Sequence, residues 1–262
     1  MVKSIFISGG GSGIGRATAR LFADKGWFVG LGDVDAIGMA ETQTLLPANA
    51  SSAHRLDVRE PGQWAEALAA FSTAAGGRVD VMMNNAGIAL GGALTEASED
   101  EIDRIVAINF RGMVNGMRAA YPYLKAAAPG TLLNTASAAA IWGAGGLALY
   151  SATKFATRAL TEALDAEWHA DGIRVRSIMP GFADTPLLAG PANAQSTVRA
   201  RDAVVASGRK FVPVEDIAQA AWDAVHGERL HTPVGEAAKK MMFFSRWAPG
   251  LMRKKARAFV QR

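Results

Sequence analysis

The 262-residue chain contains no cysteine. A disulfide framework and a thiolate metal site are therefore both excluded. Its four histidines, His54, His169, His226 and His231, are scattered without ligand-like spacing, so a metal-independent protein is expected. No uninterrupted apolar run is long enough to cross a bilayer. The opening stretch, MVKSIFISGGGSGIG, passes from a few apolar residues straight into glycines. That leaves no room for a signal-peptide pattern, and a cytoplasmic location is expected. Linkers, internal repeats and low-complexity segments are also lacking, which favours a single domain.

Acidic residues are missing from one end. After Glu236 there are eight basic residues and no Asp or Glu, while the first 236 residues hold 20 basic against 24 acidic. The net charge of +4 thus belongs to a tail, residues 237–262, attached to a mildly acidic body, residues 1–236. A body of that sign does not read as a nucleic-acid binder.

What the chain has in quantity is glycine, 28 residues, and a hydrophobic share of one half. Short apolar runs at 3–8, 27–33, 52–58, 79–85, 130–137 and 173–180 alternate with helical patterns at 13–25, 36–46, 61–75, 99–127 and 148–171. Near-continuous apolar strands are expected where both faces of a parallel sheet are covered. The rhythm predicts an α/β fold with one doubly wound parallel sheet (a Rossmann fold), helices on both faces and ligands at the carboxyl ends of the strands. Residues 182–212, with Pro186, Gly190 and Pro191, read as a long loop of the kind that forms lids or binding loops.

SGGGSGIG, residues 8–15, falls where the first strand should hand over to the first helix. Its spacing is Gly9-x-x-x-Gly13-x-Gly15. Glycines let the main chain approach a pyrophosphate, which then sits on the positive end of a helix. Asp33 ends the second predicted strand 18 residues after Gly15, where a carboxylate can accept hydrogen bonds from an adenosine ribose. A 2′-phosphate would be repelled there, so Asp33 favours NAD over NADP. Two alternatives stand beside this reading: Asp33 or Asp35 caps the following helix, or Arg16 rescues NADP binding.

In ALYSATKFATRAL, residues 148–160, Tyr150 and Lys154 lie four apart and share a helix face. The ammonium can sit beside the phenol; decoration of a solvated helix is the plain alternative.

The glycine spacing, NNAG at 84–87, Ser137 and Tyr150-x-x-x-Lys154 together closely resemble the short-chain dehydrogenase/reductase family, over nearly the whole chain from Ser8 to about Thr185. The resemblance implies that Ser8 (where threonine is more usual), Gly9, Ser12, Gly13, Ile14 and Gly15 line the cofactor. It places Asp57 and Val58 at the adenine, and Asn84, Asn85, Ala86 and Gly87 beside the adenosine ribose. Asn109 matches the helix asparagine that holds a water in the family's proton relay. PGFADT, with Pro180, Gly181 and Thr185, resembles the segment that cradles the nicotinamide end.

Hydride transfer from a carbinol needs a group that moves the hydroxyl proton, and tyrosine, with a pKa of about 10, is poor at this near neutrality. A positive charge ~4 Å away at an effective dielectric of ~20 favours the phenolate by about 4 kcal/mol, roughly three pKa units. Lys154 is thus expected to lower the pKa of Tyr150, the general acid/base. In the family this lysine also binds the nicotinamide ribose, and Ser137 would hold the substrate oxygen.

On the substrate side, Ile141, Trp142, Leu187 and Leu188 supply apolar bulk suited to an uncharged secondary alcohol or ketone; core or subunit contact is the alternative for each. In the tail, Leu251, Met252, Ala256, Phe259 and Val260 can share a helical face ringed by basic residues. Such a helix suits an anionic membrane, but packing on the body or a neighbouring subunit is the favoured reading. The resemblance implies a homo-oligomer, tetramer or dimer, built on the helices at 99–127 and 148–171. The leading expectation is an NAD-dependent alcohol dehydrogenase or ketone reductase. An NADP-dependent carbonyl or 3-oxoacyl reductase, and a non-catalytic dinucleotide-sensing or membrane-peripheral protein, are the alternatives.

Overall fold

Seven strands form one sheet in the order β3-β2-β1-β4-β5-β6-β7, every neighbouring pair parallel. The computed structural model describes residues 2–260. The strands are β1 (Ser4–Ser8), β2 (Phe28–Asp33), β3 (Ser51–Arg55), β4 (Val81–Asn84), β5 (Gly130–Thr135), β6 (Ile173–Pro180) and β7 (His231–Val234). The first six stand where the apolar runs predicted them. β7 was not predicted: it is four residues long, polar and carries Pro233, which is tolerated because β7 is an edge strand.

The helices are α1 (Gly13–Asp24), α2 (Ala36–Thr44), α3 (Pro61–Ala74), α4 (Glu99–Val106), α5 (Met113–Ala126), α6 (Ala148–Glu167), α7 (Ala200–Ala206), α8 (Val214–His226), α9 (Glu236–Trp247) and α10 (Pro249–Val260). The single helix predicted over 99–127 is α4 and α5 joined by a π-helical stretch, Ala107–Gly112, that contains Asn109. The expected long loop at 182–212 is partly organised, by α7 and by an isolated bridge between Ala183 and Val212. None of the helices is long and apolar enough to cross a membrane, among the described residues.

Alternating side chains divide the core between the two faces of the sheet. Ile5 and Ile7 of β1, with Val81 and Met83 of β4, pack under α1 and α8; Phe6 and Met82 point the other way, into a layer with Trp64, Phe71 and Met117 from α3 and α5. Gly30 of β2 is required by that second layer, since a Cβ there would collide with the Phe71 and Phe6 rings. On the first face, Phe22, Trp27 and Trp222 meet with ring centroids 5.0–5.8 Å apart and clamp α8 onto α1. α9 docks through Ala238, which is fully buried against Ala136, Ala140, Ile141 and Met179.

β1 is flanked by β2 on one side and β4 on the other, so the strand order reverses there. The carboxyl ends of β1 and β4 open the crevice in which such sheets bind ligands.

Candidate active site

The glycine turn begins at Gly9, whose φ of +70° and that of Gly13, +50°, lie in the left-handed region that glycine adopts without strain. A Cβ on Gly15 would collide with the carbonyl of Gly9. Arg16 makes the first intrahelical bond of α1, N to Ser12 O at 3.0 Å, so the N–H groups of Gly13, Ile14 and Gly15 precede it and are available to an anion. Ser12, the N-cap, makes no side-chain capping bond.

NNAG ties this turn to β4. The Ser8 hydroxyl accepts from the backbone N–H of Asn85 (3.0 Å) and of Ala86 (3.2 Å), and the Asn85 amide donates to Ser8 O (3.1 Å) and Gly9 O (3.2 Å). Asn84 serves the sheet itself, donating to Asn134 Oδ1 at 3.3 Å.

The Asp33 carboxylate accepts from Gly11 N at 2.9 Å and from Asp35 N at 3.1 Å, which fixes it beside the turn. Capping of α2 falls to Asp35, which accepts from Gly38 N at 2.9 Å. Arg16 is committed elsewhere: its guanidinium donates to Gly11 O (2.6 Å) and Gly38 O (3.2 Å) and pairs with Glu41 at 2.8 Å. Asp57 pairs with Arg59, whose guanidinium holds the carboxyl below its usual range. Val58 is buried, and Gly112 leaves room for its side chain.

At the other end of the crevice, α6 begins its first turn with Tyr150, half-buried, and places Lys154 one turn on, 7% exposed. The ammonium lies 5.7 Å from the Tyr150 ring centroid and donates to Thr135 O at 2.9 Å. Ser137, two residues past the end of β5, accepts from Ala139 N at 3.1 Å and lies close enough to the Tyr150 phenol for its hydroxyl to favour the ionised form.

Electrostatics here depart from the sequence expectation. Burial pushes the Tyr150 phenol up, with the Ser137 hydroxyl pulling the other way, and burial lowers Lys154 to about 8. Desolvation disfavours both charged forms, and it outweighs the pull that the lysine was expected to exert on the phenol.

Asn109 clamps the loop after β4. Its side chain accepts from Ile88 N (2.8 Å) and donates to Ile88 O (2.9 Å), with a longer contact to Thr153 (3.4 Å). The clamp rests on the π-helical turn; such turns recur at functional sites. Gly87 passes close by, where a Cβ would stand 3.2 Å from Asn109 Oδ1 and 3.8 Å from Lys154 Nζ.

Pro180 ends β6, and Gly181 bonds to Val234 O at 3.1 Å. The chain then carries Thr185 over the glycine turn, where a Cβ on Gly13 would come within 3.0 Å of it. Farther along, Gly91 N donates to Ala192 O at 2.7 Å and Ala194 N to Glu101 Oε1 at 2.8 Å, so the 182–212 segment closes back onto the loop after β4.

Of the expected substrate contacts, Ile141 is instead core, buried between β6 and α9 because α9 packs Ala238 on it. Leu188 is buried too, Leu187 is exposed and Trp142 is partly exposed. Thr135 and Thr153 were missed. Thr135 contributes a backbone carbonyl, which no side-chain pattern reveals; Thr153, beside Lys154 in the same turn, bonds back to Tyr150 O at 2.8 Å.

The profile of the short chain dehydrogenases matches residues 3–196. The chain belongs to that family. A 3-alpha-(or 20-beta)-hydroxysteroid dehydrogenase from Mycobacterium tuberculosis is 37% identical over 186 residues, 71% of this chain and 70% of the relative. A probable oxidoreductase, EphD, from the same organism is 31% identical over 98% of this chain, which spans 45% of that longer protein. Among solved structures, a short-chain dehydrogenase/reductase from Burkholderia phymatum in complex with NAD superposes with a TM-score of 0.85 at 26% identity, covering 96% of this chain and 95% of that one. The chain is thus a short-chain dehydrogenase, an oxidoreductase of hydroxyl and ketone groups. The donor set of its crevice fits the family's dinucleotide: amides at the start of α1, and one carboxylate at the end of β2.

Proposed function

We propose that this short-chain dehydrogenase moves a hydride between NAD(H) and an apolar secondary alcohol or ketone, with Tyr150 as general acid/base. One observation carries the reading: the Ser137 hydroxyl stands beside the Tyr150 phenol at the mouth of the crevice, with Lys154 buried one turn further along α6. Two O–H groups so placed can hold one substrate oxygen between them.

NAD is preferred because Asp33 offers its carboxylate where the ribose 2′-hydroxyl would bind, and because Arg16 is already neutralised by Glu41. The first-turn amides of α1 and Ser12 would hold the pyrophosphate, Lys154 the nicotinamide ribose and Thr185 the carboxamide. The nicotinamide supplies or accepts the hydride. Tyr150 donates its proton to the carbonyl oxygen in reduction and takes it from the alcohol in oxidation, while Ser137 orients that oxygen. Asn109 holds the loop that brings Gly87 beside Lys154. The hydroxysteroid dehydrogenase relative supports bulky, rigid alcohols as the substrate class.

A homo-oligomer accords with Val106 and Phe110 on the α4–α5 run and Phe155 on α6, all exposed. A catalytic body over 1–236 with an appended tail accords with a tail that begins as α9.

The test is reduction of NAD and NADP, followed by absorbance, over a panel of secondary alcohols including hydroxysteroids. Turnover with NAD supports the reading; turnover with NADP alone overturns the cofactor assignment.

A further inference from the structure

The tail, basic throughout after Glu236, is a charged feature that the proposed chemistry does not use. α9 is oriented by its inner face: Ala238 is fully buried, and Met241 and Met242 pack on the same cluster. The opposite face therefore looks outward, and it carries Phe243 and Trp247, one helical turn apart and 59% and 69% exposed. Leu251, on α10, adds a third exposed apolar side chain. Large aromatic tips in water are unfavourable unless something covers them.

Charge identifies the cover. Lys239, Lys240 and Arg246 flank the two aromatics on α9, and Arg253, Lys254, Lys255 and Arg257 are exposed on α10. Arg246 stacks over the Trp247 ring at 5.5 Å, and Lys255 over Phe244 at 5.7 Å. The sequence has no Asp or Glu after Glu236, and Glu236 itself pairs with Lys240 at 2.8 Å. A second copy brought face to face would set these like charges against each other.

We propose that the outer face of α9 and α10 docks on an anionic membrane surface, Phe243 and Trp247 entering the headgroup region and the surrounding lysines and arginines meeting lipid phosphates. Tryptophan is suited to that depth, and long basic side chains reach from it to the headgroups. The helices lie on the bilayer, each being too short to span it. The docking is independent of the proposed reaction. It would, however, set the crevice close to apolar alcohols dissolved in the membrane, because α9 packs on residues 136–141, which flank Ser137.

The experiment is flotation of the full chain with phosphatidylcholine vesicles, with and without phosphatidylglycerol. Binding is expected only to the phosphatidylglycerol vesicles, and it should be lost near 1 M salt, where the screening length is about 3 Å. Phe243→Ser with Trp247→Ser should weaken it at least about tenfold. Lys239→Gln, Arg246→Gln and Lys254→Gln together should weaken it about a hundredfold, each cation contributing about fivefold. A circular-dichroism melt shows whether the variants keep the fold. Absence of flotation at low salt, or equal flotation of both variants and parent, overturns the proposal. So does an oligomer lost only in the aromatic variant, or binding to duplex DNA without binding to vesicles.

Discussion

Lys154 Nζ donates to the carbonyl of Thr135 at 2.9 Å, and Thr135 Oγ1 donates in turn to Asn85 Oδ1 at 3.2 Å. Asn85 then holds Gly9 O at 3.2 Å. One hydrogen-bonded chain therefore joins the proposed acid–base helix to the glycine turn, through the ends of β5, β4 and β1. The two ends of the crevice are positioned against each other by the sheet that supports them.

Tyr150→Phe keeps the ring and removes only the proposed proton donor. Turnover should fall by about 10²–10⁴, the range for a positioned general acid–base group, while NADH binding, read by fluorescence, is retained. Since burial raises the phenol's pKa, the parent enzyme should reduce ketones steadily through neutral pH and oxidise alcohols faster as pH rises. Turnover that survives in the variant would place the proton donor elsewhere.

Lys154 carries a stability cost that its proposed role in cofactor binding would explain. Its pKa falls from 10.5 to about 8 through burial. The folded state therefore disfavours the charged form, and the protein gains stability from this group as pH rises from about 8 to 10.5. Below pH 8 the buried charge costs about 3 kcal/mol. Lys154→Met should abolish turnover yet melt at a higher temperature than the parent at pH 7, with the difference gone by pH 10.5. A variant that melts lower at pH 7 would mean that the bond to Thr135 outweighs the desolvation.

In the proposed function, cofactor choice falls to Asp33 together with the lock on Arg16. Asp33→Ser removes the ribose acceptor and should weaken NAD about 10- to 100-fold, the scale of a charged hydrogen bond. Adding Glu41→Ala releases Arg16 from its ion pair and should improve NADP binding further. The ratio of the two dissociation constants, measured by calorimetry, checks both steps. A ratio unmoved by either change would remove Asp33 from cofactor selection.

The five inner strands, β2, β1, β4, β5 and β6, and the glycine turn were legible because both faces of the sheet are covered, so each strand writes a dense apolar run ended by a small or polar residue. β7 writes no such run: HTPV lies at the edge and is half polar. Asn109 was marked by its match to the family's helix asparagine, but the π-helical turn beneath it has no compositional signature. Ile141 shows the opposite failure, an apolar residue near the site that belongs to the core once α9 covers it. Its burial depended on a helix about a hundred residues later, which no local pattern reports. Phe259 and Val260, read as part of the tail's apolar face, have side chains outside the described residues.

His231 fastens the edge strand β7 to α6. Its Nδ1 meets Ser177 Oγ at 2.8 Å and its Nε2 meets Glu162 Oε1 of α6 at 3.0 Å. Burial lowers its pKa below 6.5, and Glu162 only partly opposes this. The fold thus holds the ring neutral while the unfolded chain takes up a proton near 6.5, so stability is lost as pH falls below that value. His54, packed between Phe6 and Phe71, is lowered by burial in the same way. The urea midpoint should therefore drop between pH 7.5 and 5.5, by less in His231→Gln and by least in His231→Gln with His54→Gln. If the drop is the same in all three proteins, acid sensitivity resides in other groups, and the Ser177–His231–Glu162 contacts are neutral to proton uptake.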